Sequence, residues 1–262
     1  MVQHKREKLA RFGIATKGFV YCVIGLLTTL AAFNLGGDTT GSDGVFQFLS
    51  KQPFGKVLLG FTALGLIGFV FWRLYQTFFD HENKGNDTSG IVTRLGFATS
   101  AIFYGFLAFS VIKRVIGATS NSGGSKQSYI QELLKETYGQ IIICIIALGF
   151  LGKAIFQFYR AYSEKFRDKI QDSDIDDNGK KALIRSGKIG FTARGIVIAI
   201  ISFLLFKAAY TANSQEAGGK VEAFKFLKNE FGAIVLGVVA LGLLAYGVFM
   251  ILLARYRRIN ID

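Results

Sequence analysis

Proline, histidine, cysteine and tryptophan are scarce in this sequence: one Pro, two His, two Cys and one Trp in 262 residues. A single proline, Pro53, leaves long helices unbroken. His4 and His81 are far apart and outside every apolar run, which argues against haem held by paired histidines and against histidine-based metal sites. Cys22 and Cys144 lie in separate apolar runs, form no CxxC pair and leave the redox compartment open. Acid is also short, with 18 Asp and Glu against 31 Lys and Arg, and none of it falls inside a long apolar run. Proton-coupled carriers use titratable relays within their spans, so this counts against proton coupling, though not against a passive pore. There is no P-loop, no nucleophile elbow and no HExxH pattern. The expectation is a protein that is not an enzyme and that uses no cofactor.

Apolar residues make up 51% of the chain, with 26 Phe and 31 Gly. They gather in six runs: Ile14–Phe33, Val57–Phe79, Leu95–Ile112, Gly139–Tyr159, Ile189–Phe206 and Phe231–Ala254. Each approaches or exceeds the ~18–20 residues that cross a bilayer core. Separated runs of this kind are helices, since every backbone amide in lipid must be paired within its own segment. The fold class is therefore all-α, a polytopic membrane protein with six transmembrane helices. The first run, with bases before it and Leu30-Ala31-Ala32 near its end, imitates a signal peptide. Matching segments later in the chain cannot be signals, so no cleavage is expected.

The net charge of +13 would suggest nucleic acid in a soluble protein. Here the bases flank apolar runs, and the expected partners are membrane lipids with anionic headgroups at the cytoplasmic face, not nucleic acid. Twenty-one Lys and Arg fall on the side of the two termini and ten on the other. That bias predicts a membrane protein with both termini in the cytoplasm. The chain divides into a cytoplasmic segment 1–10, a first helix pair 11–80, a cytoplasmic loop 81–93, a second pair 94–160, a charged linker 161–187, a third pair 188–254 and a basic tail 255–262.

The three pairs are copies of one unit. Arg11-Phe12-Gly13-Ile14-Ala15-Thr16-Lys17-Gly18 matches the stretches beginning at Arg94 and Lys188. Glycine pairs follow each odd helix at Gly36-Gly37, Gly123-Gly124 and Gly218-Gly219. A short amphipathic stretch comes next (Val45–Leu49, Tyr129–Leu134, Ala223–Leu227), too short to span and suited to the outer interface. An aromatic-glycine step then opens the even helix, at Phe54-Gly55, Tyr138-Gly139 and Phe231-Gly232, with Ala-Leu-Gly in register at Gly65, Gly149 and Gly242. Two helices per unit make the repeats parallel, which predicts a pseudo-threefold bundle, with a linear array as the competitor. Glycines 232, 237, 242 and 247 step by five, about 140° around the helix, so the last helix should be touched from several sides.

Gln52-Pro53-Phe54-Gly55-Lys56-Val57-Leu58-Leu59, continuing to Trp72-Arg73, resembles the bacterial membrane family catalogued as domain of unknown function 1206. Ala15–Tyr21 and Thr192–Val197 are similar to its basic-glycine-hydrophobic opening, and Ala245–Phe249 with Ala254–Arg258 fits its close. The middle copy departs, with Ser100-Ala101 in place of the basic-glycine pair and no Pro before Tyr138. The resemblance implies three tandem units in a bacterial inner membrane. It implies no activity.

Lys17, Ser100 and Arg194 are equivalent in the repeats. They read either as a cationic vestibule on the axis, holding an anionic solute or headgroup, or as side chains that snorkel to the interface; snorkelling is preferred. Phe69, Lys153 and Tyr246 form a second equivalent set, and Arg73 is matched by Gln157 and Met250. Lys153 and Arg73 also read first as snorkelling. Tyr21 and Tyr104 read as interfacial anchors. Asp174–Gly179 opens like a calcium loop but has Arg185 where the closing glutamate is required, and it reads as a solvated acidic turn. Gly149–Lys153 looks superficially like a phosphate loop but lacks the Ser/Thr and lies in an apolar run. The leading expectation is a structural, lipid-contacting or partner-binding membrane module. The alternative is a small-solute or anion transporter or channel with a site on the axis. A membrane enzyme acting on lipids ranks last. Ligand, protein partner and oligomeric state are left open.

Overall fold

A backbone in hydrocarbon finds no water to bond, so each apolar run closes its own amide ladder. A computed structural model of the chain describes residues 2–79, 88–117, 131, 133–134, 136–163 and 177–256. Seven helices are present among them: α1 (Val2–Ala32), α2 (Ser42–Ser50), α3 (Gly55–Phe78), α4 (Thr88–Val115), α5 (Thr137–Tyr162), α6 (Asp177–Thr211) and α7 (Lys220–Tyr256). All except α2 are long and apolar enough to cross a bilayer. Large apolar side chains such as Phe61, Phe71 and Ile234 stand bare on the outside, as lipid-facing positions require. The chain is a multi-pass membrane protein. Six crossings bring its two ends to one side, called here the terminal end; α2 lies at the other, the loop end.

Apolar burial drives little association where the solvent is itself apolar; close packing through small residues does more. The tightest contact joins the first and last helices. A Cβ on Gly18 would meet the Gly247 carbonyl oxygen at 2.8 Å, and one on Gly25 would meet the Leu244 amide nitrogen at 2.5 Å. Glycine is what allows the two backbones to cross so closely. Gly237 faces Phe33 just past the end of α1, Gly242 faces Ala193 of α6 and Gly247 faces Cys22 of α1, so α7 is approached from two sides.

Because α7 packs on α1, the first and third repeats touch, which a linear array in chain order would not allow. All three contacts between repeats are made: α3 on α4, α5 on α6 and α7 on α1. A basic residue marks each of them. Arg11 donates to the carbonyls of Ala254, at 3.0 Å, and Arg255 at the end of α7. Its equivalent Arg94 donates to the Thr77 carbonyl at 2.8 Å, at the end of α3. The third equivalent, Lys188, lies over the ring of Tyr162 at the end of α5, 5.2 Å from its centroid. Cations at helix C-termini meet exposed carbonyls and a favourable dipole.

Within the repeats, α1 packs on α3 and α6 on α7, but among the described residues α4 and α5 form no such interface. The pseudo-threefold ring is open at one seam, between the two helices of the middle repeat.

The loop-end junctions follow the aromatic-glycine steps. Phe54 takes a left-handed conformation between α2 and α3 (φ 60°, ψ 24°). In the third repeat the amphipathic stretch and the span run together as α7, kinked at Gly232 (φ 84°, ψ 173°). A Cβ on Gly55 or Gly139 would strike the Leu49 or Leu133 carbonyl, so both positions require glycine. Val45, Phe46 and Leu49 bury the apolar face of α2 on the bundle while Gln47 faces out. Asp174–Asp176 lie outside the described residues, and from Asp177 the chain is already helical rather than a turn. The helix starts at Val2 and Asp177 extend well before the apolar runs they carry.

Candidate functional site

On α1 the helical period places Gly13, Lys17, Tyr21, Ile24 and Thr28 on one buried face. Gly13 brings α3 very close, since a Cβ there would lie 2.5 Å from the Phe69 amide nitrogen. Phe69 thereby comes over Lys17. The Lys17 ammonium sits 5.0 Å from the Phe69 centroid, 5.2 Å from Tyr104 on α4 and 5.9 Å from Tyr246 on α7. Lys17 is only 6% exposed. It is turned to the centre of the bundle, not extended to an interface.

Arg194 on α6 is built the same way. Gly190, equivalent to Gly13, packs on Tyr246, the equivalent of Phe69; a Cβ on Gly190 would lie 2.6 Å from the Tyr246 Cα. The Arg194 guanidinium lies 4.4 Å from the Tyr246 centroid and 5.1 Å from that of Tyr21, and its Nη1 donates to the Tyr246 hydroxyl at 2.6 Å. Tyr21 and Tyr246 meet edge to face at 4.9 Å. Tyr21 and Tyr104 are therefore core residues and not interfacial anchors, because their rings face the cations of the interior.

Two further cations extend the array. The Arg73 guanidinium lies 5.1 Å from Phe69 and 4.9 Å from Phe97, and its Nη1 donates to Gln76 Oε1 at 2.9 Å. Lys220, at the loop-end start of α7, lies 4.8 Å from the Tyr21 centroid and 3.4 Å from Ser42 Oγ. Cation and ring alternate without a break: Lys220, Tyr21, Arg194, Tyr246, Lys17, Phe69, Arg73, Phe97. The series runs from the loop end to within two turns of the terminal end of α3.

The other two sequence candidates sit apart from this ladder. The Ser100 hydroxyl bonds back to the Gly96 carbonyl at 2.9 Å, so Tyr104, one turn on, supplies α4's contact with Lys17. Lys153 has an exposed side chain over Phe150 of its own helix, 6.0 Å from its centroid, and lies within electrostatic reach of Lys17 and Arg194. The middle repeat thus lacks the clasp of the others. Lys17 with Phe69 and Arg194 with Tyr246 are equivalent cation-ring pairs within their repeats, whereas the middle repeat has Ser100 and Lys153 there.

A cation held over an aromatic face out of water gains about 2 kcal/mol or more. That is less than the several kcal/mol that a buried charge loses without a counter-ion. The hydrocarbon-crossing parts of the helices contain no Asp or Glu; Glu222 and Glu230 precede the Gly232 kink. The ladder therefore gathers basic side chains with no carboxylate among them, and its chemistry suits an anion, which would favour their charged forms. Two grooves lie elsewhere. One of about 390 Å³ at the loop end is lined by Gly37, Asp38, Lys225 and Lys228. The other, about 590 Å³ and apolar, is lined by Ile141, Cys144, Phe206 and Tyr210. Gly149–Lys153 is interior helix, unable to cradle a phosphate with its amides. Among the described residues no group of three His, Cys, Asp or Glu gathers.

Lys17, Arg194, Arg73 and Lys153 were legible as candidates from the repeat. Lys220 was not, because it reads as one more loop-end charge. Tyr246 and Phe69 were visible only as equivalents of Lys153.

The sequence model of the family described as "Domain of Unknown Function (DUF1206)" matches three stretches, residues 12–80, 95–164 and 189–257. They coincide with the pairs α1 and α3, α4 and α5, and α6 and α7. The chain is 30% identical over 255 residues, 97% of its length, to "Uncharacterized protein YxxB" of Bacillus subtilis (strain 168), covering 92% of that protein. No solved structure matches the chain.

Proposed function

The chain belongs to the DUF1206 family, and from that premise we propose that it is a non-enzymatic membrane protein whose central cation-aromatic ladder binds an anionic group of phosphate type, a lipid headgroup or a free anion. Lys17 carries the reading: a buried ammonium held by three rings, with no acidic residue in any hydrocarbon-crossing segment to neutralise it. An anion between Lys17 and Arg194 would meet two charges and the Tyr246 hydroxyl. The family and its Bacillus relative support a bacterial inner membrane, and the excess of Lys and Arg on the terminal side supports both termini being cytoplasmic. That orientation puts the Lys17 half of the ladder nearer the leaflet surface where anionic headgroups attract bases.

The test is retention of phospholipid by the detergent-purified chain, with added inorganic phosphate as competitor. Wild type is expected to keep anionic phospholipid selectively, and Lys17→Gln and Arg194→Gln to lose it. Binding of phosphate itself, with no lipid retained, would identify the free anion as the ligand. Neither lipid nor phosphate bound by well-folded protein would overturn the proposal.

A second reading has its own support in the unbroken alternation from Lys220 to Arg73. Successive weak cationic positions are what an anion crossing the bilayer would use. Proteoliposomes in which chloride or phosphate flux saturates, and falls in Lys220→Gln, would favour passage over binding. Tight vesicles would remove it.

A further inference from the structure

We propose that the open seam between α4 and α5 is a lateral seat for the acyl chain of an anionic phospholipid, whose headgroup reaches the central cations through it. This rests on the anion-binding reading above and assigns the ligand to the bilayer.

The repeats act as internal controls for the seam. In the first and third, the within-repeat helices are locked by paired glycine contacts. Gly13 meets Phe69 and Gly65 meets Thr16 in the first; Gly190 meets Tyr246 and Gly242 meets Ala193 in the third. The middle equivalents, Gly96 and Gly149, have open space where a Cβ would go. Phe103 is 49% exposed, although its equivalents Val20 and Val197 are buried. Ile146 is 45% exposed, although its equivalents Thr62 and Val239 are buried. The face that the first and third repeats hide between their helices is bare in the middle one.

Behind the seam stand the basic groups of the ladder. Tyr104 on α4 carries the buried Lys17 ammonium, and Lys153 on α5 stands exposed at the rim within electrostatic reach of Lys17 and Arg194. Apolar walls leading to buried cations are complementary to one ligand class, an anionic amphiphile. A soluble anion has no use for Phe103 and Ile146, and an uncharged lipid has none for Lys17. The cation-ring clasp is missing at the open seam. Ser100 and Lys153 cannot form what Lys17 with Phe69 and Arg194 with Tyr246 form.

The experiment uses the full chain in nanodiscs with a trace of phosphatidylglycerol carrying a diazirine in one acyl chain, and in parallel phosphatidylcholine with the same chain. Adducts are mapped by mass spectrometry. The glycerol lipid is expected to label Phe103, Ile146 and their neighbours at about fivefold or more over the choline lipid, the ratio that ~1 kcal/mol of headgroup preference gives. Phe61 and Ile234, on the outer surface, should label equally with both. The preference should fall in Lys17→Gln and in Lys153→Gln, the latter an exposed position that leaves folding intact. Gly149→Trp, filling empty space, should abolish it while the gel-filtration profile stays unchanged. If anionic lipid is retained in a Lys17-dependent way but seam labelling shows no headgroup preference, or Gly149→Trp leaves it unaltered, the seam proposal is overturned and the binding site stands. If no anionic lipid is retained but phosphate binds, the seam proposal falls and the anion site stands; if neither binds, both fall.

Discussion

Arg194 and Tyr246 are bonded twice over: the guanidinium donates to the phenolic oxygen at 2.6 Å and lies 4.4 Å from the centre of the same ring. One residue comes from each helix of the third repeat, so the pair ties α6 to α7 at the middle of the ladder. Hydrogen bonds to charged groups contribute about 1.5–3 kcal/mol. Tyr246→Phe keeps the ring and removes the acceptor, and thermal unfolding in detergent should show a loss of about that size. Tyr246→Leu, which also removes the ring, should lose more. An unchanged melting temperature for both would mean the contact contributes nothing.

Three equivalent glycines should respond to alanine with opposite signs. At Gly13 and Gly190 the new methyl would strike the backbone of Phe69 or Tyr246, and overpacking of this kind costs about 1–3 kcal/mol. At Gly96 there is empty space, and replacing glycine by alanine inside a helix gains up to about 1 kcal/mol. Melting temperatures of the three variants, measured side by side, check this. A destabilised Gly96→Ala would mean that α4 is packed after all.

Gly232 is strained for any other residue, with φ 84° and ψ 173°, yet nothing crowds it. Gly232→Ala should therefore report backbone strain alone, about 1–3 kcal/mol. Gly60, also uncrowded but with no positive φ, is the control and should tolerate alanine. Comparing the unfolding of the two variants separates conformation from space.

Six crossings require tags on the two ends to report the same compartment. Fusions of a compartment-sensitive reporter to each terminus are expected to agree. Disagreement would remove one helix from the bilayer.

Much of the fold was readable because lipid imposes a coarse rule, that a long apolar run is a helix. The repeat marks went further, since Phe54-Gly55 and Phe231-Gly232 do sit at helix junctions. The helices begin at Val2 and Asp177, well ahead of the apolar runs at Ile14 and Ile189, because polar, proline-free turns continue a helix beyond the hydrocarbon. The inward aim of Lys17 was not readable. A lone lysine near a helix end is compatible with either direction, and the choice was made by Gly13 drawing Phe69 across it. The seam was hidden as well, since Gly96 and Gly149 carry the same marks as glycines that are packed. The exchange of cation and ring for Ser100 and Lys153 was visible, but its effect on packing shows only when the helices are placed.

The crossing of α1 and α7 at Gly18 and Gly247 sets an order of events during synthesis. The first helix must enter the bilayer while its closest neighbour has yet to be made, and it waits there with a glycine-notched flank against lipid. A ribosome that stops before Lys220 would release five spans with no keystone, and with Lys17 stranded among fewer rings.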